Sequence, residues 1–536
     1  MNAWRGIVVG LLVAAAPASA APGLGPEPQC TLPLYDDHCS DWVSRAAPAN
    51  GQSGVGDYPA FQQGPVMAVS PDGQLVFSAG STSEQATTST ILVQARRTAS
   101  GEAAWSTIYA GTPTLKFARA GGLAMAPDGG RVFVAGTAGE QIEGGSACGN
   151  PVFSPLKINT RGSAVVLADD AAGHPLWSTL LTPGAGAEIG TCGATVAVTP
   201  DGRYVIVTGR QYRAEAGDGW SMRAFTAALD ADTGEVVWRA FDEDPKGRTM
   251  GWRLAVDPSG QRVYVAEATL DATTAAIAQL HVVAYPTSPG TSEPVPVWRA
   301  DRDIDRPTAP PVGIVVSPRG DQVVLGDWSV AGSDLSDYGA DQLDLMAYAT
   351  ADGAPRWTTT FLPQALPGET GYAQAVSFDP LAFSPDGSRI YMAADLLIRR
   401  QHPAGFYESG AGFTTQAFAA ADGALVWQQQ FRPPDWTDAF GPVLAVSPDG
   451  RQVFVSGDAE TTPASNQFAS TIAYDAATGT QQWAGLDLER TQNVADVAVS
   501  PNGCHVYVGG AATSSATDNI SYAAAVTAYP TAAAGC

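Results

Sequence analysis

The sequence has 536 residues, a net charge of −24 and 45% hydrophobic residues. Such an acidic chain should repel nucleic acid and anionic membrane surfaces, so we exclude nucleic acid as a partner. The 58 glycines and 39 prolines favour many turns rather than long helices. After the first 20 residues no apolar stretch approaches the length of a membrane span, so we predict none.

Residues 1–20 have the pattern of a secretory signal peptide. Arg5 lies in a short charged start, the apolar segment Gly6–Ala16 follows, and Ala18-Ser19-Ala20 forms a cleavage motif of small residues. We therefore predict a secreted or periplasmic protein with a signal peptide at 1–20, an N-terminal lead at 21–40 and a folded domain at 41–536.

Six cysteines in an exported chain predict disulfides, because the compartment is oxidising. They are Cys30, Cys39, Cys148, Cys192, Cys504 and Cys536. We favour a Cys148–Cys192 bridge around an insertion, with the other four joining the chain ends in a connectivity that the sequence leaves open. No Cys-x-x-Cys or Cys/His spacing of a zinc site is present.

A short hairpin recurs eight times along the chain. In Leu444–Gly457 two apolar strands flank Pro448-Asp449-Gly450, where proline fixes φ, aspartate caps its own backbone and glycine tolerates a positive φ. The turn prolines, 53 to 73 residues apart, are Pro71, Pro127, Pro200, Pro258, Pro318, Pro385, Pro448 and Pro501.

A second motif lies between successive hairpins and ends in tryptophan, as in residues 228–238 and 473–483. Each period therefore holds four short strands, which predicts one antiparallel propeller blade per period. Seven such tryptophans lie between the eight turns, and the eighth, Trp42, precedes them. We therefore predict an all-β fold, a single eight-bladed β-propeller of four-stranded antiparallel blades whose last blade is closed by the N-terminal strand Asp41–Arg45.

The Ala-x-Asp-x-x-Thr-Gly-x-x-x-Trp pattern of 228–238 and 473–483 resembles the repeat of the quinoprotein (PQQ-type) β-propellers. The Ser-Pro-Asp-Gly hairpins also resemble repeats of lactonase-like and WD-type propellers. The first resemblance implies eight blades and, in the dehydrogenases, PQQ with Ca²⁺. This sequence lacks the adjacent cysteine pair and the Cys-x-x-Cys-His extension of those enzymes, so we do not expect PQQ.

The connections between strands predict which end of the blades carries function. Tight repeated turns join the first to the second strand and the third to the fourth, at one face of the disc. The other connections vary in length, and variable loops on a rigid scaffold are the usual place for binding sites. The insertions are residues 137–161, 210–222, 329–343 and 397–413.

Acidic residues mark the second strands of blades 4 to 7. These residues are Glu267, Asp327, Asp395 and Asp458. With Trp328 and His402 they form the predicted ligand site on the long-loop face. Asp327 with Asp334, Asp337 and Asp341 forms a candidate Ca²⁺ site. In the alternative interpretation these acids cap turns or pair with arginines, and the aromatic residues pack loops onto blades.

No sequence motif of a nucleophilic, metalloprotease or nucleotide-binding site follows a suitable strand. We therefore predict a monomeric binding or interaction scaffold for a small molecule, a glycan or a protein. The alternative is an enzyme at the propeller funnel, either a metal-dependent hydrolase or lyase or, less expected, a PQQ-dependent oxidoreductase.

Overall fold

The computed structural model describes most of the predicted domain. It describes residues 40–46, 66–85, 88–112, 115, 117–139, 162–182, 188–215, 220–271, 274, 276–290, 292–304, 313–329, 342–362, 369–374, 381–401, 407–432, 439–461, 466–486, 491–514, 521–531 and 536. The predicted signal peptide and nearly all of the lead lie outside these residues, as do Cys148, Asp334, Asp337, Asp341 and His402.

The described residues form β-strands and no helix, so none of them forms a helix suited to crossing a membrane. The strands are β1 (Trp42–Ala46), β2 (Met67–Val69), β3 (Leu75–Gln85), β4 (Thr88–Arg97), β5 (Ala103–Tyr109), β6 (Phe117–Met125), β7 (Arg131–Gly139), β8 (Gly162–Asp170), β9 (Pro175–Leu181), β10 (Glu188–Val198), β11 (Tyr204–Ala214), β12 (Trp220–Asp230), β13 (Val236–Asp242), β14 (Gly247–Val256), β15 (Arg262–Asp271), β16 (Ile277–Pro286), β17 (Trp298–Asp303), β18 (Gly313–Val316), β19 (Gln322–Ser329), β20 (Gln342–Ala349), β21 (Pro355–Phe361), β22 (Glu369–Gln374), β23 (Leu381–Phe383), β24 (Arg389–Gln401), β25 (Tyr407–Ala419), β26 (Leu425–Phe431), β27 (Ala439–Val446), β28 (Gln452–Thr461), β29 (Asn466–Asp475), β30 (Gln481–Leu486), β31 (Thr491–Val499), β32 (His505–Ser514) and β33 (Ser521–Pro530).

Consecutive strands pair into four-stranded antiparallel units, one for each predicted repeat. They are unit 1 (β2–β5), unit 2 (β6–β9), unit 3 (β10–β13), unit 4 (β14–β17), unit 5 (β18–β21), unit 6 (β22–β26), unit 7 (β27–β30) and unit 8 (β31–β33 with β1). A single parallel pair, Ser89 with Phe117, joins units 1 and 2. In unit 6 both β22 and β23 pair with β24, so the first strand of that unit is in two pieces.

Strand β1 completes the sheet of unit 8, the partner predicted for it. Trp42 lies opposite Ala528 on β33, and the Asp41 N–H donates to the Ala528 carbonyl at 2.8 Å. The disulfide Cys504–Cys536 ties the end of the chain to the first turn of this unit. Cys192 is also disulfide-bonded, but its partner lies outside the described residues, so the Cys148–Cys192 bridge stays a prediction.

The tight turns of neighbouring units lie against one another. Gly450 has a φ of 71°, and a Cβ added there would lie 3.2 Å from Pro385 of the preceding unit. The same relation joins Gly129 to Pro71, at 2.8 Å. The turn glycines therefore serve both the hairpin conformation and the close approach of the next unit.

Each fourth-strand tryptophan described with an indole hydrogen bond donates to the unit that follows. Trp105 Nε1 donates to Ala171 O at 2.9 Å, and Trp298 Nε1 donates to Thr350 O at 2.8 Å. Trp42 Nε1 of β1 donates to Thr98 O of unit 1 at 2.8 Å. Trp42 therefore occupies the same position in unit 8 as the other tryptophans do in theirs.

The core consists of apolar side chains between the faces of successive units. One cluster combines Phe133 and Val166 of unit 2 with Val207 and Phe225 of unit 3, all almost completely buried. Small antiparallel sheets that pack face to face in chain order are the architecture of a β-propeller. The chain therefore has an all-β, propeller-type fold.

Candidate functional site

The four acidic residues singled out in the sequence are buried. Glu267, Asp327, Asp395 and Asp458 are each at most 3% exposed, although the predicted ligand site places them at the mouth of the long connections. A buried carboxylate must find a donor, a counter-charge or a proton. The partners of these acids therefore indicate what each can do.

The spacing from the turn proline divides the four acids into two pairs. Glu267 and Asp327 follow their turn prolines by nine residues, whereas Asp395 and Asp458 follow theirs by ten. Because successive side chains of a strand point to opposite faces, a difference of one residue places the two pairs on opposite faces of their sheets.

Asp395 and Asp458 hydrogen-bond the first strand of the following unit. Asp395 accepts from the Gly441 N–H at 2.7 Å, and Asp458 accepts from the Val494 N–H at 3.2 Å. Burial raises the pKa of Asp395 to about 8, and repulsion from Asp458 adds to this while the Gly441 hydrogen bond opposes it. Both carboxyl groups link the sheets of adjacent units.

In units 1 and 2 the residue ten positions after the turn proline also makes a hydrogen bond to the following unit. Ser81 of unit 1 accepts from the Ala120 N–H of unit 2 at 3.2 Å. Thr137 of unit 2 donates to the Gly193 carbonyl of unit 3 at 3.5 Å. The position ten residues after the proline therefore serves an inter-unit hydrogen bond, and Asp395 and Asp458 are its acidic versions.

Glu267 instead faces unit 3, where its neighbour is the carboxyl group of Asp242 at the end of β13. Within the described part of the chain, no donor reaches either oxygen of Glu267. Burial and the neighbouring Asp242 raise the pKa of Glu267 well above its ordinary value. Two adjacent carboxyl groups of this kind are compatible with burial when they share a proton.

Arg299 of β17 holds the acidic residues around Glu267. Its guanidinium donates to Asp242, to Asp244 at 2.9 Å and to Asp301 at 2.6 Å. It also lies 3.1 and 3.3 Å from the two ring nitrogens of His281. We call these six residues the 3–4 cluster: Asp242, Asp244, Glu267, His281, Arg299 and Asp301.

A directed hydrogen-bond chain crosses the 3–4 cluster. The Asp244 N–H donates to Thr249 Oγ1 at 3.2 Å, and the Thr249 and Thr269 hydroxyls are 3.1 Å apart. Thr269 lies 2.7 Å from His281 Nε2, and His281 Nδ1 lies 2.8 Å from Asp301. Burial, with the Arg299 guanidinium, lowers the pKa of His281, so the ring is neutral at pH 7 and donates from Nδ1.

The order Asp301, His281, Thr269 is that of an acid–base–hydroxyl triad. Thr269 and His281 are fully buried, however, so no substrate meets this hydroxyl in the packed fold. The cluster is therefore suited to holding protons and charge between two sheets rather than to attacking a carbonyl group.

Unit 5 has a related arrangement around Asp344, which lies opposite Asp327 on the paired strands. Arg302 of unit 4 donates to Asp344 at 3.0 Å, and Thr360 donates to it at 2.6 Å. Trp328 belongs to β19, but its side chain lies outside the described residues.

Among the described residues, no three His, Cys, Asp or Glu side chains are arranged to hold a metal ion. The Ca²⁺ site at Asp327, Asp334, Asp337 and Asp341 stays a prediction, because three of its four ligands lie outside the described residues. The expectation that PQQ does not bind also stays a prediction, because most of the insertions on the predicted binding face lie outside the described residues. We therefore derive no chemistry through a quinone.

The strand ends opposite the tight turns extend into ribbons. In unit 3, β11 and β12 remain paired up to Ala214 and Trp220, although β13 ends opposite Ala224. We call residues 211–214 and 220–223 the unit-3 ribbon. In unit 6, β24 and β25 extend furthest, with residues 396–401 and 407–412 beyond β26.

Charged and aromatic side chains cover the unit-3 ribbon. Arg213 and Arg223 both donate to Glu243, at 3.0 and 3.1 Å. Trp220 packs edge-on against Tyr212 and carries Arg248 over its ring at 3.6 Å. Glu243 lies in the connection 243–246, which follows Asp242, so the ribbon and the 3–4 cluster are neighbours in the structure.

Sequence reasoning missed most of the 3–4 cluster. It singled out Glu267 but not Asp242, Arg299 or Asp301. The available signal was the acidic run 242–244 and the alternation of arginine and aspartate in 299–303. These segments come together only through the packing of units 3 and 4.

No family model and no curated protein matches the sequence. Among solved structures, the chain is similar to a Kuenenia stuttgartiensis hydrazine synthase, with 13% identity, 81% of this chain and 100% of that chain covered, and a TM-score of 0.44. The Dos1 propeller has 9% identity, 89% and 95% coverage and a TM-score of 0.49. Quinohemoprotein alcohol dehydrogenase ADHIIG from Pseudomonas putida HK5 has 14% identity, 91% and 75% coverage and a TM-score of 0.48. Similarities at this level carry no functional conclusion.

Proposed function

We propose that the protein is an exported, closed, eight-bladed β-propeller that binds a polar partner through the ribbons at one end of its blades. The contacts between unit 8 and unit 1 support the closed ring. Asp496 of unit 8 accepts from the N–H groups of Val66 and Met67 at 2.8 Å each. A Cβ added at Gly73 would lie 3.7 Å from Pro501, the relation found between consecutive units elsewhere.

The observation that carries the binding role is the difference between the two ends of the blades. At the turn end, aspartates hydrogen-bond their own backbone and glycines lie against prolines of the next unit. At the other end the unit-3 ribbon projects beyond β13, and partly exposed charges lie on this ribbon and beside it. The Arg213 and Glu243 side chains are 39% and 55% exposed, and Lys246 and Asp303 are 53% and 79% exposed.

The mixture of charges at the ribbon end favours a glycan or a protein surface over an anion or a cation alone. Paired arginines and carboxylates offer both donors and acceptors, and Trp220 adds an aromatic edge beside them. Export rests on the signal-peptide pattern. The Cys504–Cys536 disulfide is compatible with an oxidising compartment.

Glycan and peptide arrays probed with the full mature chain test this proposal. The best ligand found should lose at least about tenfold in affinity in the double variant Arg213→Ala, Glu243→Ala, because charge-assisted contacts contribute about 1.5–3 kcal/mol each. The turn-end double variant Asp449→Ala, Arg451→Ala should bind normally. Binding that survives the ribbon changes but fails in the turn variant would place the site at the opposite end.

We also propose Ca²⁺ as a ligand of the loop that carries Asp334, Asp337 and Asp341, together with Asp327. Calorimetric titration of the wild type with Ca²⁺ should give a saturable heat, and the triple alanine variant of the three loop aspartates should give none. A wild type without heat or thermal shift excludes the ion.

A further inference from the structure

We infer that the interface between units 3 and 4 is a proton-controlled contact: one proton shared by Glu267 and Asp242 holds the two sheets together, and its loss loosens the connection 243–246. This inference does not depend on the proposed ligand, because the proton and the packing are measured in the free protein. It concerns the buried carboxyl groups of Glu267 and Asp242, whose presence is explained neither by the repeated turns nor by the ribbons.

Units 3 and 4 approach closely at the position of Glu267. Glu267 pairs with Gly251 on one side and His281 on the other. A Cβ at Gly251 would overlap Thr208 Oγ1 of unit 3 and lie 2.9 Å from the Gly209 carbonyl. Glu267 therefore lies in the part of its sheet that is in direct contact with unit 3, and it is 1% exposed.

The facing group of Glu267 is an acid rather than a donor. Neither Glu267 oxygen accepts a hydrogen bond from the described protein groups. Asp242 is held on the same side of the sheet, because its partner Arg299 lies 3.1 Å from His281, the strand neighbour of Glu267. The charge of Asp242 acts on Glu267 from there and contributes to its raised pKa. In the packed state the Glu267 carboxyl group keeps its proton and donates it to an Asp242 oxygen. When the proton leaves for solvent, two negative charges remain in contact, which a buried site resists.

The other groups that face this pair do not compensate for the second charge. Tyr285 is buried and uncharged, and burial raises its pKa further. His281 is neutral, and Asp244 and Asp301 add negative charge. Arg299 is the positive group of the 3–4 cluster, and it already binds three carboxylates.

The same residues anchor the connection that leads to β14. Arg299 holds Asp242 and Asp244 at its start, and Lys246 binds Asp303 at 2.7 Å at its end. Between them Glu243 binds the two arginines of the unit-3 ribbon. Repulsion between Glu267 and Asp242 therefore acts on the segment that fixes the ribbon to unit 4.

Amide hydrogen exchange of β13 and β14 between pH 6.5 and 8.5 tests the inference. The slope is read above about pH 7.5, where His281 is neutral both when buried and when exposed, because the ordinary histidine pKa is 6.5 and burial lowers it further. Local opening of the contact between units 3 and 4 exposes Glu267, which then releases its proton to solvent. The opening constant in the wild type should therefore rise by up to about tenfold per pH unit until Glu267 ionises in the packed state.

Glu267→Gln should remove this pH dependence, because the glutamine amide donates to Asp242 at every pH. Glu235→Gln is the matched control: it makes the same change of side chain at an exposed position directly before β13 and should keep the wild-type slope. Equal slopes in the wild type and Glu267→Gln would overturn the inference, as would a wild type with no pH dependence in these strands.

Two further measurements keep the inference testable if Glu267→Gln does not fold. Asp242→Asn supplies an N–H donor to Glu267, so Glu267 can ionise at lower pH and the slope should end earlier than in the wild type. Infrared spectra at pH 7 of the double variant Asp169→Asn, Asp395→Asn, which lacks two other buried acids of raised pKa, should contain the band of a protonated carboxyl group that disappears at high pH together with exchange protection in β13 and β14. Absence of that band at pH 7 contradicts a retained proton.

Discussion

Two aspartates on one hairpin of unit 6 have opposite acid–base behaviour. Asp386, in the tight turn, accepts from the Ser384 hydroxyl at 2.6 Å and from the Ser388 N–H at 2.9 Å, and these hydrogen bonds lower its pKa to about 2. Asp395 follows nine residues later, buried between units 6 and 7, where burial raises its pKa to about 8. The turn stabilises a carboxylate, whereas the interface between units favours the neutral acid.

The difference has a definite sign for stability. The depressed pKa of Asp386 adds stability above its unfolded value near 3.8, and this stability is lost as the pH falls towards 2. The raised pKa of Asp395 adds stability below about 3.8, and this stability is lost as the pH rises towards 8. The turn aspartate therefore stabilises the fold most above about pH 3.8, whereas the buried acid between units stabilises it most below that pH.

The largest expected effect comes from breaking an interface between units rather than a turn. Trp42→Ala removes a buried indole and its hydrogen bond to Thr98, which should cost about 3–5 kcal/mol in the free energy of unfolding. Urea unfolding should show the same loss for Trp42→Ala as for Trp298→Ala, since both residues bridge consecutive units. A cost for Trp42 below about 1 kcal/mol would mean that β1 is not part of the cooperative fold.

A turn glycine that also forms an interface should be the next most sensitive position. Gly353 has a φ of 73°, and a Cβ there would lie 2.6 Å from the Trp298 ring. Gly353→Ala should therefore cost more than the roughly 1–3 kcal/mol of backbone strain alone. Gly290→Ala is the matched control, because Gly290 has a φ of 70° with no atom within 4 Å of the added group. Equal thermal shifts would show that the packing against Trp298 is negligible.

The sequence predicts these repeated features well because each is encoded locally. A Pro-Asp-Gly turn and a tryptophan at fixed offsets specify a hairpin and an interface residue without knowledge of distant parts of the chain. The spacing of nine or ten residues from the turn proline also separates Glu267 from Asp395, once alternation along the strand is applied. The side on which each acid lies is therefore readable from sequence.

The partners of Glu267 are not readable in this way. Asp242 precedes it by 25 residues and Arg299 follows it by 32, on the fourth strands of two different units. No local pattern relates a fourth strand to the second strand of the next unit, because their contact depends on how the sheets pack. The long insertions that carry Asp334 and His402 vary in length between repeats, so the repeat gives no template for them.

Asp395→Asn tests whether the acid buried between units 6 and 7 is neutral, through the pH dependence of stability. The asparagine keeps an acceptor for the Gly441 N–H but cannot titrate. The wild type should lose stability relative to this variant by at most about 1.4 kcal/mol per pH unit between pH 4 and 8. Urea unfolding of both proteins at pH 5, 6 and 7.5 measures the difference, and a constant difference across this range contradicts a neutral, buried Asp395.

Asp386 should show the smallest effect, because its side chain is largely solvated and its partners are local. Asp386→Ala should cost about 1 kcal/mol at pH 7, since the Ser388 N–H can turn to water and the buried Ser384 hydroxyl still has the Arg389 carbonyl as an acceptor. The cost should shrink as the pH falls from 4 towards 2, because Asp386 is then protonated in the unfolded chain, whereas the folded carboxylate, with its pKa of about 2, stays largely ionised. Asp386→Asn retains an acceptor and should lose less at pH 7. Unfolding free energies of the wild type and both variants at pH 7, 4 and 2.5 test this prediction. A cost that grows on acidification would mean that Asp386 acts as a neutral acid, like Asp395. The contrast between turn and interface would then be lost.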